Sequence, residues 1–569
     1  MLHLFHILQK PLPFALCLNI FFFTLYLLFG LIHYGALDDY FMSAVLTGAY
    51  GSEFDPHLYF INAIFAYILK PFYVVAPSVS WYFIFLLLEV FISLTTITFL
   101  FIRQSGSKWG AIFSILLLSC ITPDFYVNVN FTQCATILTA AGTLLLAFGD
   151  KEHKKSFLFF APFFLIAGNV MRSDAFMIGV PFLILLLLSN LLEFHRIPWK
   201  AIFVLVACYF SIWGLQKFDQ SLYTDNDYKY YAAYQGPRAF FGDGRYYDAE
   251  ATYDELEERG MQGRDFYHLQ FWDFYDTKVF SLDSINAIAD IARRNICVPN
   301  KARMPAAFFI TISYSFSRTY AWCWTILCIM LILFANKKGQ LYPWASLSIT
   351  AACIGYLLVV NRVVHHVETG IWLCAISSSI FFMPKENNIF ANNLYKYKKI
   401  SAFGILFISI AFLVMAYPST TNARSLGIIS IPQPTDGEKN FVAYANDHPN
   451  DVFLMTFEPY KRLAMSKDPA YKAIAPGSWQ NIFPIGYWNI HLPGMIKEFK
   501  KRGIENPLHD IVNNNVYIIE NENRPTFTHF YKTHYHKNLA VDTVQCFGEI
   551  MLLKYRIKER EKNEQMETN

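Results

Sequence analysis

The chain has no lysine or arginine between Lys10 and Lys70, no Cys/His spacing of a zinc site, and no Walker-type or Rossmann glycine pattern. The last two absences argue against structural zinc, nucleotide-driven transport and dinucleotide chemistry. No small-residue cleavage site follows the first apolar stretch, Phe14 to Ile32, which is long for a signal-peptide core and reads as a retained anchor helix. Internal repeats of the kind that build transporters are not evident. Charge is scarce as well: 16% of the 569 residues are charged, the net charge is +3, and no nucleic-acid partner is expected.

What is abundant is apolar surface. Hydrophobic residues make up 54% of the chain and aromatics 18%, with a mean hydropathy of +0.28. Apolar runs of spanning length recur along most of the sequence, which predicts a polytopic α-helical membrane protein with about eleven membrane helices. They are expected near 14–33, 81–102, 108–123, 127–148, 156–171, 174–193, 200–216, 316–335, 342–360, 370–384 and 400–417. Short basic loops alternate between them: Arg103 and Lys108; Lys151, Lys154 and Lys155; Arg196 and Lys200; Lys337 and Lys338; Lys385, Lys396, Lys398 and Lys399. By the positive-inside rule these loops and the N-terminus are cytoplasmic and the C-terminal portion is extracytoplasmic. The parity hinges on 156–193, where Arg172 and Asp174 interrupt the apolar run. A hairpin or two short helices there preserve it, and one straight span inverts everything downstream.

Three exterior segments are expected. The loop 34–80 is semi-polar and aromatic, with a surface-lying helix around His57–Tyr67 that Pro71 and Pro77 end. The stretch 217–304 is polar and tyrosine-rich, with helices around Ala249–Arg259 and Ser284–Arg294. The region 418–569 reads as a small α/β domain. Its strands lie at Val452–Phe457 and Val516–Ile519, with a hairpin of Val541–Cys546 and Ile550–Tyr555 and a helix Met495–Arg502 stopped by Gly503. The units are thus 1–216, 217–304, 305–417 and 418–569. Of the ten cysteines, eight fall in expected spans; Cys297 and Cys546 lie outside them, and their pairing is open.

The most informative polar residues are Asp38 and Asp39, an acidic pair directly after the first span. Adjacent carboxylates at a membrane boundary repel and are costly to desolvate, which points to function, although an aspartate also caps helices well. Such a carboxylate can act as a general base toward a hydroxyl or help hold a divalent cation. His57, in Asp55-Pro56-His57, is either an interfacial residue or a substrate-positioning one. Arg172 and Asp174 are either an ion pair or a phosphate grip with its orienting carboxylate. Asp124–Asn128 lies in the preceding exterior turn. Arg362, His365, His366 and Glu368 crowd one short loop, with Arg362 the phosphate candidate. Arg238 and Asp243 sit among aromatic residues suited to stacking on a sugar ring.

A first helix followed at once by an exterior acidic pair and a membrane-parallel loop resembles the GT-C superfamily of integral-membrane glycosyltransferases. The runs Leu37-Asp38-Asp39-Tyr40-Phe41-Met42-Ser43, Gly48-Ala49-Tyr50-Gly51, His57-Leu58-Tyr59-Phe60-Ile61-Asn62, Arg238-Ala239-Phe240-Phe241-Gly242-Asp243 and Phe483-Pro484-Ile485-Gly486 look like an uncharacterised bacterial branch. The resemblance implies inverting transfer of one sugar from a polyprenyl-phosphate donor to a glycan, lipid or protein acceptor of the cell envelope. It places the reaction at the extracytoplasmic face of a bacterial plasma membrane. Asp38 or Asp39 is then the base, and His57, Arg172, Asp174, Arg238, Arg362 and His365 contact substrate or phosphate. Divalent-metal dependence is left open, with Asp38 and Asp39 the ligands if a metal is used. The competing expectations are a polysaccharide polymerase or ligase, which leans on Arg238 and Arg362, and a lipid-linked glycan transporter.

Overall fold

The computed structural model of the protein describes residues 10–30, 32–51, 53–242, 248–270, 272–296, 304–360, 363–385, 398–421, 436–466, 469–521 and 526–558. It is mostly helical. Among the described residues, six helices are by length and composition long and apolar enough to cross a membrane, or seven if one bent pair counts as a span. The protein therefore has the character of a multi-pass membrane protein.

The chain opens with α1 (Pro11–Phe29), a two-residue strand β1 (His33–Tyr34), α2 (Leu37–Leu46) and α3 (Ala63–Val75). Helix α4 (Trp81–Thr122) breaks at Gly106, whose φ of 80° only glycine adopts readily. Its limbs fold back, so that a Cβ on Gly110 would fall 2.4 Å from the Cα of Ile102. A π-helical turn, Pro123–Val127, leads to β2 (Asn128–Val129), which pairs in parallel with β1 and ties the exit of α1 to the next helix. Gly35 lies so close to this strand that a Cβ would approach the Asn128 carbonyl oxygen to 2.5 Å.

Helix α5 (Phe131–Lys151) is buried along nearly its whole length and is the centre of the bundle. Helix α6 (Lys155–Met171) runs antiparallel to it, with Leu158 against Gly149 and Gly168 against Ala135. Helix α7 (Ser173–Phe194) runs parallel to α5, with Gly179 against Thr139 and Asn190 donating to Asp150 at 3.0 Å. The stretch 156–193 is thus two antiparallel helices turning at Arg172 rather than one straight helix. Helix α8 (Trp199–Leu222) follows.

The polar stretch holds α9 (Asn226–Gly242), α10 (Ala249–Glu258), α11 (Gly263–Gln270) and α12 (Leu282–Arg294). Then come α13 (Met304–Ser315) and α14 (Thr319–Phe334), bent by 87° to one another, followed by α15 (Lys337–Val359), α16 (His365–Ser379) and α17 (Lys398–Thr421). Three of the basic loops gather at one end of the bundle: Arg103 pairs with Glu152 at 2.5 Å, Arg196 donates to the Asp150 carbonyl, and Lys151 reaches the Phe381 carbonyl.

The C-terminal domain contains α18 (Asp436–Asp447), β3 (Val452–Met455), α19 (Phe457–Ser466), β4 (Ile482–Pro484), α20 (Pro493–Lys501), β5 (Val516–Glu520), α21 (Thr526–Tyr535), β6 (Leu539–Phe547) and β7 (Ile550–Ile557). Its sheet has the order β4-β3-β5-β7-β6, parallel through β4, β3 and β5 and antiparallel at the closing hairpin. Gly548 turns that hairpin and Gly503 ends α20, both at positive φ.

This domain seats directly on the first loop. Trp479 and Gly477 donate to the carbonyls of Ala49 and Gly48, and the Trp479 indole reaches the Tyr40 hydroxyl at 3.1 Å. Helix α2 is consequently enclosed on almost every face between this domain and the helical bundle. Two details of the loop differ from expectation. Residues 57–62 are not helical, and Pro71 lies inside α3 rather than ending the helix. It lies in the second half of α3, which exposes Phe72, Val74 and Val75.

Candidate functional site

The acidic pair begins α2, and the helix separates its two members. Asp39 is fully buried and accepts from the Tyr82 hydroxyl (2.9 Å), the Asn130 amide (3.0 Å) and the Phe131 backbone N–H (3.0 Å). It therefore satisfies the first backbone N–H of α5, whose N-cap is Asn130, and caps no turn of its own helix. Burial pushes its pKa well up, opposed by the Phe131 N–H and the Tyr82 hydroxyl. Because both oxygens already accept hydrogen bonds, a cation at Asp39 would have to displace them. Among the described residues no three His, Cys, Asp or Glu side chains are grouped to hold a metal ion.

Asp38 is half-buried, and its Oδ1 accepts from the Tyr487 hydroxyl and from the Trp488 indole at 3.0 Å. Both donors come from the loop after β4. The C-terminal domain thus supplies part of the surroundings of the first-loop carboxylate.

Arg172 stands at the turn between α6 and α7. Its guanidinium donates to the Thr132 hydroxyl at 2.7 Å and lies over the rings of Phe131 (5.0 Å) and Phe60 (5.7 Å). Phe60 in turn meets Trp488 edge-on at 4.2 Å. One continuous aromatic contact therefore links Arg172 to the indole that holds Asp38. Arg172 and Asp174 also mark the polar rim of a cavity of about 640 Å³. Its walls are apolar side chains of α7, α15 and α16, among them Ile178, Leu357, Val367 and Ile371. Such a shape suits a ligand with a hydrocarbon chain and a charged head.

On the other side of Trp488 lies Arg238, fully buried, with its guanidinium 3.7 Å from the Trp488 ring centre and 5.0 Å from that of Trp272. Three segments converge here under backbone strain. Tyr59 (φ 61°), Trp272 (φ 67°), Tyr487 (φ 92°) and His491 (φ 60°) all occupy the left-handed region that bulky residues avoid. Tyr59 and Trp488 are in ring contact at 5.0 Å, and Trp272 and Tyr487 at 5.8 Å. Gly486 permits the approach, since a Cβ there would fall 2.0 Å from the Trp272 carbonyl oxygen. Strain concentrated at one point of contact between three segments is a mark of a functional region.

The other sequence candidates lie elsewhere. His57 is buried, with Nδ1 2.6 Å from Asp55, Nε2 3.1 Å from the Leu222 carbonyl, and its ring stacked on Tyr228 at 3.5 Å. It fastens the first loop to the end of α8. His365 and Glu368 lie in the first turn of α16 rather than in a loop. The chain has already turned back into the bundle there, where buried polar side chains pair with one another. Nε2 of His365 stands 3.4 Å from buried Asp124, and Glu368 accepts from the Ser315 hydroxyl at the α13–α14 bend. Asp174 is exposed at the start of α7. Arg362, Asp243 and Cys297 lie outside the described residues.

Sequence reasoning missed Tyr487, Trp488 and Trp272. The available signal was Gly486-Tyr487-Trp488, a glycine ahead of two large aromatics just after a strand. It also missed His491, enclosed by Tyr230, Tyr234 and Tyr275, whose pKa burial lowers to about 3. A histidine with a depressed folded-state pKa takes up protons first in the unfolded chain. It therefore costs stability as pH falls from about 6.5 toward 3. At pH 4.5 the expected loss is about 2–3 kcal/mol relative to pH 7.5. Melting temperatures of wild type and His491→Asn across that range test this: the pH slope attributable to His491 should vanish in the variant.

No protein-family model matches the chain, and a search of curated proteins finds no similar sequence.

Proposed function

We propose that the protein is a membrane glycosyltransferase of GT-C type that moves one sugar, with inversion, from a polyprenyl-phosphate donor to a cell-envelope hydroxyl. The observation that carries this reading is the chain Arg172–Phe60–Trp488–Asp38. It links a partly exposed carboxylate, through the rings of Trp488 and Phe60, to a guanidinium that lines an apolar cavity between the helices. In this reading eleven spans cross a bacterial plasma membrane: the limbs of α4 on either side of Gly106 count as two, and α1, α5–α8 and α14–α17 supply the rest. The basic loops are cytoplasmic, and the first loop and the C-terminal domain are extracytoplasmic. The exposed apolar residues of α3 rest on the lipid surface.

Asp38 takes the acceptor proton as the hydroxyl oxygen bonds to the sugar C1. The C1–O bond to phosphate breaks, its electron pair leaves on the phosphate oxygen, and Arg172 holds the resulting charge. Asp39, buried and fully engaged, positions α2 rather than meeting substrate. Asp174 stands at the same rim as Arg172, on the lipid-phosphate side.

The reading is tested with the full-length protein in proteoliposomes. The probes are undecaprenyl phosphate linked to glucose, galactose, mannose or arabinose, supplied with a cell-envelope extract as the source of acceptor hydroxyls, and released undecaprenyl phosphate is measured. Release from at least one donor is expected. Arg172→Ala should lower its rate by about 10²–10³-fold. Arg172→Lys should fall between, since an ammonium keeps the charge but not the planar fork. Wild type inactive on every donor, or Arg172→Ala equal to wild type, contradicts the reading.

A further inference from the structure

We propose that Tyr487 and Trp488 are positioning residues for Asp38, with Arg238 acting behind Trp488, so that the C-terminal domain completes the reactive site rather than merely covering it. The role of the site rests on the preceding reading of Asp38 as the base; the clamp itself does not.

The Tyr487 hydroxyl and the Trp488 indole donate to the same oxygen of Asp38, 449 and 450 residues away in sequence. Two donors on one oxygen fix the plane of the carboxylate and favour its charged form. Trp488 cannot swing aside. One neighbour is the Arg238 guanidinium at 3.7 Å, and Tyr59 and Phe60 pack against the ring as well. Arg238 thus has a different assignment from a phosphate ligand. It is fully buried, and its charge reaches Asp38 through the indole it stacks on. The left-handed backbone of Tyr487 turns its hydroxyl toward α2, and Gly486 lets that turn pack against Trp272. A strained turn retained at the point of contact with a carboxylate is expected where geometry matters more than local stability. A lid or recognition module needs no such contact.

The test is a titration of Asp38 in the full-length protein by difference infrared spectroscopy, each background being subtracted against its own Asp38→Asn version. Tyr487→Phe keeps the ring and the fold but removes one donor. Its Asp38 midpoint should rise by about one pH unit. Trp488→Phe should move it in the same direction. Arg238→Gln should raise it too, and Arg238→Lys should restore most of the shift. Tyr535→Phe, which removes a comparable hydroxyl of the same domain from Asp276 of the 217–304 segment, should leave the midpoint where it is. An unmoved midpoint in Tyr487→Phe overturns the proposal, as does an equal shift in Tyr535→Phe. The titration needs no substrate. A shift without donor cleavage sinks the functional reading alone, and cleavage without a shift sinks the clamp alone.

Discussion

Replacing Asp38 by asparagine is expected to lower donor cleavage and transfer by about 10²–10⁴-fold, the usual contribution of a positioned general base. The substitution is nearly isosteric. The asparagine oxygen can still accept from Tyr487 and Trp488, so the contact between the first loop and the C-terminal domain persists. What is lost is the capacity to take a proton. Membrane insertion and melting temperature should therefore stay close to wild type while turnover collapses. Reconstituted activity within a few-fold of wild type would remove Asp38 from the chemistry.

Its neighbour should behave in the opposite way. Asp39→Ala removes the acceptor of three buried donors: the Tyr82 hydroxyl, the Asn130 amide and the Phe131 backbone N–H. Each buried donor left without its acceptor costs about 1–3 kcal/mol, and the costs are not additive. A loss of about 3–5 kcal/mol is therefore expected. Asp39→Asn offers only partial relief. Its new amide faces that of Asn130, which cannot flip because its oxygen already caps Thr132 N–H at 2.8 Å. Thermal melting of the detergent-solubilised protein separates the two positions. Asp39→Ala should melt markedly lower and lose activity with the fold, whereas a wild-type melting curve would mean that the capping network carries little energy.

The helices and the C-terminal strands were legible because they depend on local pattern. Hydropathy marked α1, α7 and α8. The apolar runs at Val452 and Val516, and the pair flanking Phe547-Gly548, marked the sheet. Arg172 marked the turn between α6 and α7, since an arginine is costly inside a span and settles at its end. The site was legible only in part. Asp38, Asp39, Arg172 and Arg238 stood out as charges in apolar surroundings, but their division of labour did not. Asp39 differs from Asp38 through partners 43 and 91 residues away, and Asp38 is held from 449 residues away. Contacts at that separation leave no trace in spacing or periodicity. Helix α2 was similarly obscure, because its all-round burial is completed by a domain that begins some four hundred positions later. His57 and His365 stood in sequence as candidates for substrate contact, with a hydrogen-bonded interfacial histidine or a solvated loop as the alternative. Their ring nitrogens instead lie against Asp55, the Leu222 carbonyl and Asp124.

For the proposed reaction, the acidic pair, Arg172 and the C-terminal domain must stand on the side of the membrane opposite the basic loops. Single cysteines at Glu53, Lys497 and Lys154, placed in a background lacking Cys17, Cys297 and Cys546, report this directly through a membrane-impermeant maleimide applied to intact cells. Labelling is expected at positions 53 and 497 without permeabilisation and at position 154 only after it. Labelling at 154 alone in intact cells would place the carboxylates in the cytosol, away from extracytoplasmic lipid-linked sugars, and would contradict the proposed function.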